Sequence, residues 1–180
     1  MTLISVAVCV RNGVDWIDGC MESLVQQSHG PLEIILVDDG STDGSEEKVK
    51  QWDTHENVTV INQKPLGLSA GRMAALQAAK GEWFAITDID VRPEADWIQR
   101  MLESSESRDD EEVVAVTGRT VFGQAKDTIS KIRSIEIESK YRSRPRITKL
   151  ANGPCSMFNR KRLLEVGGFD PSWYHAEDME

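Results

Sequence analysis

Asp88 and Asp90 stand near the end of the stretch 81–93, GEWFAITDIDVRP. On extended backbone, side chains two residues apart point to the same side, so both carboxylates can face one object. Two like charges that close are costly unless a cation or hydrogen-bond donors offset them. A hard divalent ion, Mg²⁺ or Mn²⁺, suits the pair, because it takes oxygen ligands and often shares its shell with a substrate phosphate. Taken alone, Asp-x-Asp is also what two solvated turn carboxylates look like. Asp39 closes another apolar run, within DDGSTDG. It can accept a hydrogen bond from a ligand, or bond its own turn as Asp38 and Asp43 are expected to do. Arg72 is expected in the first turn of a helix, where bare N–H groups favour an anion and a guanidinium can grip phosphate oxygens in pairs. A surface ion pair is the alternative, worth little.

These residues need strand ends and helix starts to hold them. The run 3–10 (LISVAVCV) is rich in β-branched residues and reads as a buried strand, broken by Asn12-Gly13. Over 14–27, Ile17, Met21, Leu24 and Val25 fall on one helical face. A second strand over 32–37 runs into Asp38-Asp39-Gly40. Residues 45–52 form a short polar helix with Asp43 as N-cap. A third strand covers 58–62, an Ala-rich helix 69–80 is capped by Gly81, and a fourth strand runs to Asp88. Its short apolar core, bounded by turn residues, suits a strand covered on both faces. Strand and helix alternate, which gives an α/β fold with a doubly wound, mainly parallel sheet and right-handed crossovers. Carboxylates at the C-terminal ends of such strands stand where these sheets bind ligands. A further helix is expected over 95–103, a solvated loop at 108–112 and a fifth strand over 113–117. Beyond Gly118 the pattern weakens: a helix around Ile129, Ile132 and Ile135, a basic loop over 141–149, a short strand over 155–158 and a short helix over 161–166. A soft boundary divides the chain into 1–118 and 119–180 within a single structural domain.

The 180 residues carry 21 basic and 30 acidic side chains, a net charge of −9. That balance excludes a general nucleic-acid binder, whose affinity rests on neutralising phosphates. The charge is uneven, for residues 119–162 hold twelve basic against three acidic side chains. The part of this segment at 126–149 is a solvated helix and loop, or a peripheral surface for anionic lipid head groups. Cys9, Cys20 and Cys155 lack metal-like spacing, which points to a reducing compartment, the cytoplasm or the cytoplasmic face of a membrane. The apolar start lacks a basic leader and reads as a strand, not a signal peptide. No window approaches the roughly 18 apolar residues of a membrane span.

Five motifs fall in register: Arg11-Asn12-Gly13 after the first strand, Asp38-Asp39-Gly40-Ser41 after the second, GLSAGR at 67–72, Asp88-Ile89-Asp90, and Gly167-Gly168-Phe169-Asp170 followed by Glu177-Asp178. In this order the set resembles family 2 glycosyltransferases, inverting sugar-nucleotide transferases of the GT-A fold, a Rossmann-like architecture, over almost the whole chain. The resemblance implies a nucleotide-diphospho-sugar donor, UDP-linked, and a glycan or lipid-linked acceptor. It places the nucleotide base at Asp39 and donor contacts at Val10, Asn12, Arg72, Asp88, Gly168 and Glu177. It makes Asp90 the ligand of the Mg²⁺ or Mn²⁺ ion, with Asp88 beside it on ribose or metal-bound water. It gives Asp178 the role of general base, with Gly167-Gly168 allowing close approach to the donor sugar. Trp173, Tyr174 and His175 would form an acceptor platform or core. Here the chain ends two residues past Asp178, which points to a piece of a longer protein or a reduced acceptor side. Two other readings stand beside this one: a nucleotide-sugar binding module without turnover, and a haloacid-dehalogenase-type phosphatase with Asp88 as nucleophile, which normally follows the first strand instead of the fourth.

Overall fold

The apolar runs become the middle of one sheet in the computed structural model, which describes residues 1–106, 113–123, 127–143, 145, 147–148, 151 and 153–172. The elements follow as β1 (Ile4–Val10), α1 (Ile17–Val25), β2 (Leu32–Asp39), α2 (Ser45–Trp52), β3 (Val58–Gln63), α3 (Leu68–Ala78), β4 (Trp83–Asp88), α4 (Trp97–Glu106), β5 (Ala115–Thr117), α5 (Thr128–Ser143), β6 (Ser156–Asn159) and α6 (Arg160–Glu165). The sheet order is β3-β2-β1-β4-β6-β5. β1 pairs in parallel with both β2 and β4, and β2 with β3. β6 runs antiparallel to β4 and to β5, so it is the one strand set against the direction of the others among the described residues. The order reverses between β1 and β4, and that switch point opens the crevice in which open α/β sheets bind ligands.

Alternation explains why these strands read as continuous apolar runs. Ile4, Val6, Val8 and Val10 of β1 join Ile34, Leu36 and Ala85 in a core on one face, packed by Ile17, Met21 and Leu24 of α1. Ala7, Ile35, Val37, Phe84 and Ile86 face the other way, against Ala75 and Leu76 of α3 and against Phe169. Both faces are covered, so both parities are mainly apolar, and the polar exception in β1, buried Ser5, is hydrogen-bonded to Glu33 and Gly81. Helix α3 lies close on the sheet at Gly71, where a Cβ would come within 3.0 Å of Cys9 Sγ.

The structure corrects several expectations. α1 starts at Ile17 because residues 13–16 form a turn, with Trp16 N–H donating to Gly13 O at 2.9 Å. Its buried face is Ile17, Cys20, Met21 and Leu24, while Val25 is exposed; Cys20 fills the i+3 place and Val25 falls beyond the stripe. The N-cap position of α2 is Gly44, at φ 96°. Asp43 still does the bonding there, since its Oδ1 accepts from Ser45 N and Oγ and its Oδ2 from Val14 N. Gly81 does not cap α3, which ends at Ala78 with Ala79 extended. Gly81 instead lies against β1, where a Cβ would sit 2.6 Å from Ser5 N and Oγ; its N–H donates to Ser5 Oγ and Glu33 Oε1. The expected loop from Tyr141 onward begins later, because α5 continues to Ser143 with Lys140 and Arg142 in its last turn, where they complement the helix dipole. The predicted fifth strand shrinks to three residues at the sheet edge. The acidic loop at 108–112 lies outside the described residues.

Candidate functional site

The C-terminal ends of β1, β2 and β4 and the start of α3 meet at the switch point. Val10 closes β1 with its side chain in the core, 2% exposed, so the contact expected of it falls to its main chain. Asn12 takes φ 53°, a left-handed conformation that asparagine tolerates better than most residues. Its N–H donates to Ser41 Oγ at 3.0 Å and its Oδ1 accepts from Thr42 N at 2.8 Å. These bonds tie the loop after β1 to the loop after β2. In its place, the Asn12 side chain serves the protein's own loops first.

Asp39, at the end of β2, is 3% exposed. Its Oδ1 accepts from Gln63 Nε2 at 2.7 Å and from Leu66 N at 2.8 Å, and its Oδ2 accepts from Gly67 N at 2.9 Å. Arg11 stands 3.9 Å from Oδ2 with its side chain 43% exposed. The carboxylate therefore fixes the turn that starts α3, and Oδ2 keeps acceptor capacity beside a half-exposed guanidinium. Gly40, at φ 69°, leaves room for Pro65 of that turn, which a Cβ would meet at 2.6 Å.

Arg72 sits one residue further into α3 than expected, since the helix starts at Leu68, and it is buried behind Asp88. Its Nη2 donates to Asp88 Oδ1 at 3.1 Å, with the Arg72 side chain 4% and the Asp88 side chain 38% exposed. A buried guanidinium is tolerated only when paired, so this is not the solvated ion pair that the sequence left open. Arg72→Ala is expected to destabilise the fold by about 2–3 kcal/mol, below the usual range for breaking a buried pair because Asp88 reaches water. Thermal unfolding checks this, and an unchanged Tm would contradict the buried pairing.

β4 ends at Asp88, and Ile89-Asp90 form a turn closed by Val91 N–H on Asp88 O at 3.0 Å. The two carboxylates are thus not aligned by strand alternation, as the sequence suggested; the turn carries Asp90 into solvent at the rim. Both act on Cys20, whose Sγ–H lies 3.7 Å from Asp88 O. Burial pushes the Cys20 thiol up to about 12, opposed by Arg92 and aided by Asp90 and Asp88. At neutral pH it is therefore a neutral thiol and a poor nucleophile. No group of three or more His, Cys, Asp or Glu gathers into a metal cluster among the described residues. An exposed and a half-exposed carboxylate at one rim fit a hard cation that draws the rest of its shell from substrate oxygens and water.

Gly167 and Gly168 take φ 99° and 74°. A Cβ on Gly168 would lie 2.9 Å from Leu76 Cδ2 and Met73 Sδ of α3, so the close approach this glycine permits is to α3. Phe169 packs between Phe84 and Phe158. The buried Ser69 hydroxyl donates to Asp170 O at 2.5 Å. The segment leading towards Glu177 and Asp178 is therefore fixed on the helix that begins the site. Glu177 and Asp178, with Trp173, Tyr174 and His175, lie outside the described residues. Ser69 and Arg92 are contributors the sequence did not reveal; a serine opening a helix and an arginine after a turn carry no signal of partners that distant.

The model of the family described as Glycosyl transferase family 2 matches residues 5–167. EpsH of Bacillus subtilis (strain 168), a glycosyltransferase by name, is 33% identical over 164 residues, covering 89% of this chain and 46% of its own length. Among solved structures, the mannosyltransferase PcManGT from Pyrobaculum calidifontis in complex with GDP-Man and Mn²⁺ superposes with a TM-score of 0.73 at 24% identity, over 97% of this chain and 49% of that one. TarS 1-349 of S. aureus in complex with UDP-GlcNAc gives 0.73 at 20% identity, over 99% and 51%. At these identities the structural likeness speaks for the fold alone, which is GT-A. The mixed α/β sheet sets Asp88 and its partner Arg72 at the switch point, where open α/β sheets bind ligands. The chain belongs to glycosyl transferase family 2. It spans about half the length of these relatives and structural neighbours. The dehalogenase alternative falls with this assignment, since Asp88 closes β4 and is held by Arg72.

Proposed function

We propose that this chain carries the donor-binding machinery of an inverting glycosyltransferase that uses a UDP-linked sugar and a divalent cation. The observation that supports this best is the corner at the switch point, where a buried arginine holds Asp88 and the adjoining turn presents Asp90. Two structural neighbours named for complexes with GDP-Man and UDP-GlcNAc point to the same donor class. On this reading the nucleotide base lies against Asp39 Oδ2 and Arg11, and the main chain at Val10 and Asn12 lines its edge. The diphosphate lies over the start of α3, where the first N–H groups of the helix face an anion. Arg72 adds positive charge from beneath and keeps Asp88 oriented.

Asp90, with Asp88 beside it, would hold Mg²⁺ or Mn²⁺. The cation supplies charge neutralisation for the departing diphosphate, a stabilisation larger in the transition state than in the ground state. In the transfer, an acceptor hydroxyl oxygen bonds to the anomeric carbon from the face opposite the diphosphate. The bond from that carbon to the phosphate oxygen breaks, and the electron pair leaves with the nucleoside diphosphate. The hydroxyl proton passes to the Asp178 carboxylate. Gly168 and Glu177 border the sugar on this assignment. Residues 1–118 serve the donor and 119–180 the acceptor side.

Titration calorimetry with UDP and GDP, in Mn²⁺ and in EDTA, tests the reading. UDP binding strengthened by Mn²⁺ supports it; equal binding with and without the cation removes the metal from the account, and preference for GDP removes uridine.

The acceptor is assigned as a glycan or a lipid-linked glycan, met at a membrane face. Among the described residues no helix is long and apolar enough to cross a membrane. Helix α5 exposes Ile129, Ile132 and Ile135 together with Lys131, Arg133 and Arg142. Such a surface suits peripheral contact with anionic lipid. Sedimentation with anionic vesicles at low salt is expected to carry the protein down, and failure to do so excludes this contact.

A further inference from the structure

We infer that Arg92 is a positioning residue that holds the Ile89-Asp90 turn in the shape its cation and diphosphate need, an inference that rests on the donor-site reading above. Asp90 stands on a short exposed turn, and a carboxylate so placed is only as fixed as the peptide that carries it. Arg92 supplies the fixing. Its Nη1 donates to Ile89 O at 3.2 Å and to Val91 O at 2.9 Å, the carbonyls on either side of Asp90. Its Nη2 donates to Trp16 O at 3.1 Å, and its Cζ lies 5.8 Å from the centre of the Trp16 ring. One guanidinium thus ties the turn after β4 to the turn after β1.

The neighbouring glycines make room for this clamp. A Cβ at Gly19, on α1, would fall 2.5 Å from Arg92 Nε and 2.7 Å from Nη2, so the helix surface is bare where the guanidinium lies. At the other end of the turn, Ile89 packs over Gly13, where a Cβ would meet Ile89 Cγ2 at 3.4 Å and Val10 Cγ2 at 3.0 Å. The turn is therefore pinned by an apolar side chain on one flank and a charged fork on the other. The fork suits the task because its N–H groups are fixed in one plane and spread over separate nitrogens, so Nη1 serves Ile89 and Val91 while Nη2 reaches Trp16; a lysine has a single nitrogen for all three carbonyls.

Four variants test this, with Mn²⁺-dependent UDP affinity and thermal stability read on each. Arg92→Ala is expected to weaken UDP binding in Mn²⁺ by about tenfold, the size expected on losing hydrogen bonds from a charged donor, while binding in EDTA stays at the wild-type value. Gly19→Ala displaces the guanidinium without removing it. It should weaken the same Mn²⁺-dependent binding by about fivefold although alanine favours the helix and stability does not fall. The double variant is expected to match Arg92→Ala, since both changes remove one interaction. Arg92→Lys keeps the charge and should recover only part of the loss. Amide exchange at residues 89–92 is expected to quicken in Arg92→Ala before any metal is added.

Variants that bind Mn²⁺ and UDP as the wild type does would overturn the inference. So would equal losses in Mn²⁺ and EDTA, which mark a general structural role, or full rescue by lysine, which marks charge alone. A wild-type protein whose UDP binding ignores Mn²⁺ overturns the donor-site reading and this inference with it. The first three outcomes leave that reading standing, so the two failures are distinct.

Discussion

Asp178→Asn is expected to slow sugar transfer by about two to four orders of magnitude, in whatever length of chain supports it, while UDP binding stays unchanged. The substitution keeps the shape of the side chain and removes its ability to take a proton. General-base assistance contributes about 10²–10⁴-fold in rate, and the loss should fall within that range on kcat. The proposed donor site draws on β1, β2, β4 and α3, so Mn²⁺-dependent UDP affinity reports on it separately. The described part of the acceptor-side segment is anchored by Phe169 in the core and by Ser69 on Asp170 O, which gives the following residues a fixed starting point. A variant that transfers sugar at the wild-type rate removes Asp178 from the mechanism. One that loses UDP binding as well assigns it to the donor site.

Asp90→Ala is expected to remove the metal-dependent part of UDP binding, since this carboxylate would hold the cation; the loss should exceed the roughly 10–100-fold that changes to the groups behind metal ligands cost. Stability should hardly change. Asp90 is exposed, and surface substitutions away from buried networks usually fall within about 0.5 kcal/mol. The contrast with Arg72→Ala is informative. Arg72 is buried and paired, so its loss acts on folding and on Asp88 together, whereas the loss of Asp90 acts on the ligand alone. If Asp90→Ala retains full Mn²⁺ dependence, the cation is held elsewhere.

Much of this arrangement was legible in the sequence because its signals are local. The runs ending at Val10, Asp39 and Asp88 are mainly apolar at both parities and short, rich in β-branched residues and bounded by turn residues, which together mark strands covered on both faces. The glycines and aspartates after them mark the ends of those strands. What stayed hidden depends on contacts distant in sequence. β6 is four residues long and inserts antiparallel between β4 and β5, an order that nothing within SMFN specifies. Arg72 read as an exposed cation, on a phosphate or in a surface ion pair, because burial of an arginine is decided by its partner, and Asp88 lies sixteen residues further along the chain. Gly81 read as a helix cap, yet its smallness serves Ser5 on another strand. Asp88 and Asp90 are separated by the residue count of an extended strand, but the strand ends at the first of them and a turn takes over. The site residues were named from a motif; the hydrogen bonds that hold them, from Arg92 to the carbonyls around Asp90 and from Gly67 to Asp39, became visible only in three dimensions.

A crystal structure of this chain grown with UDP and Mn²⁺ is expected to show the anomalous signal of one manganese ion against the Asp90 carboxylate and beside the diphosphate, with Arg72 still on Asp88. Manganese bound away from Asp90, or nucleotide bound away from the switch point between β1 and β4, would contradict the donor-site reading.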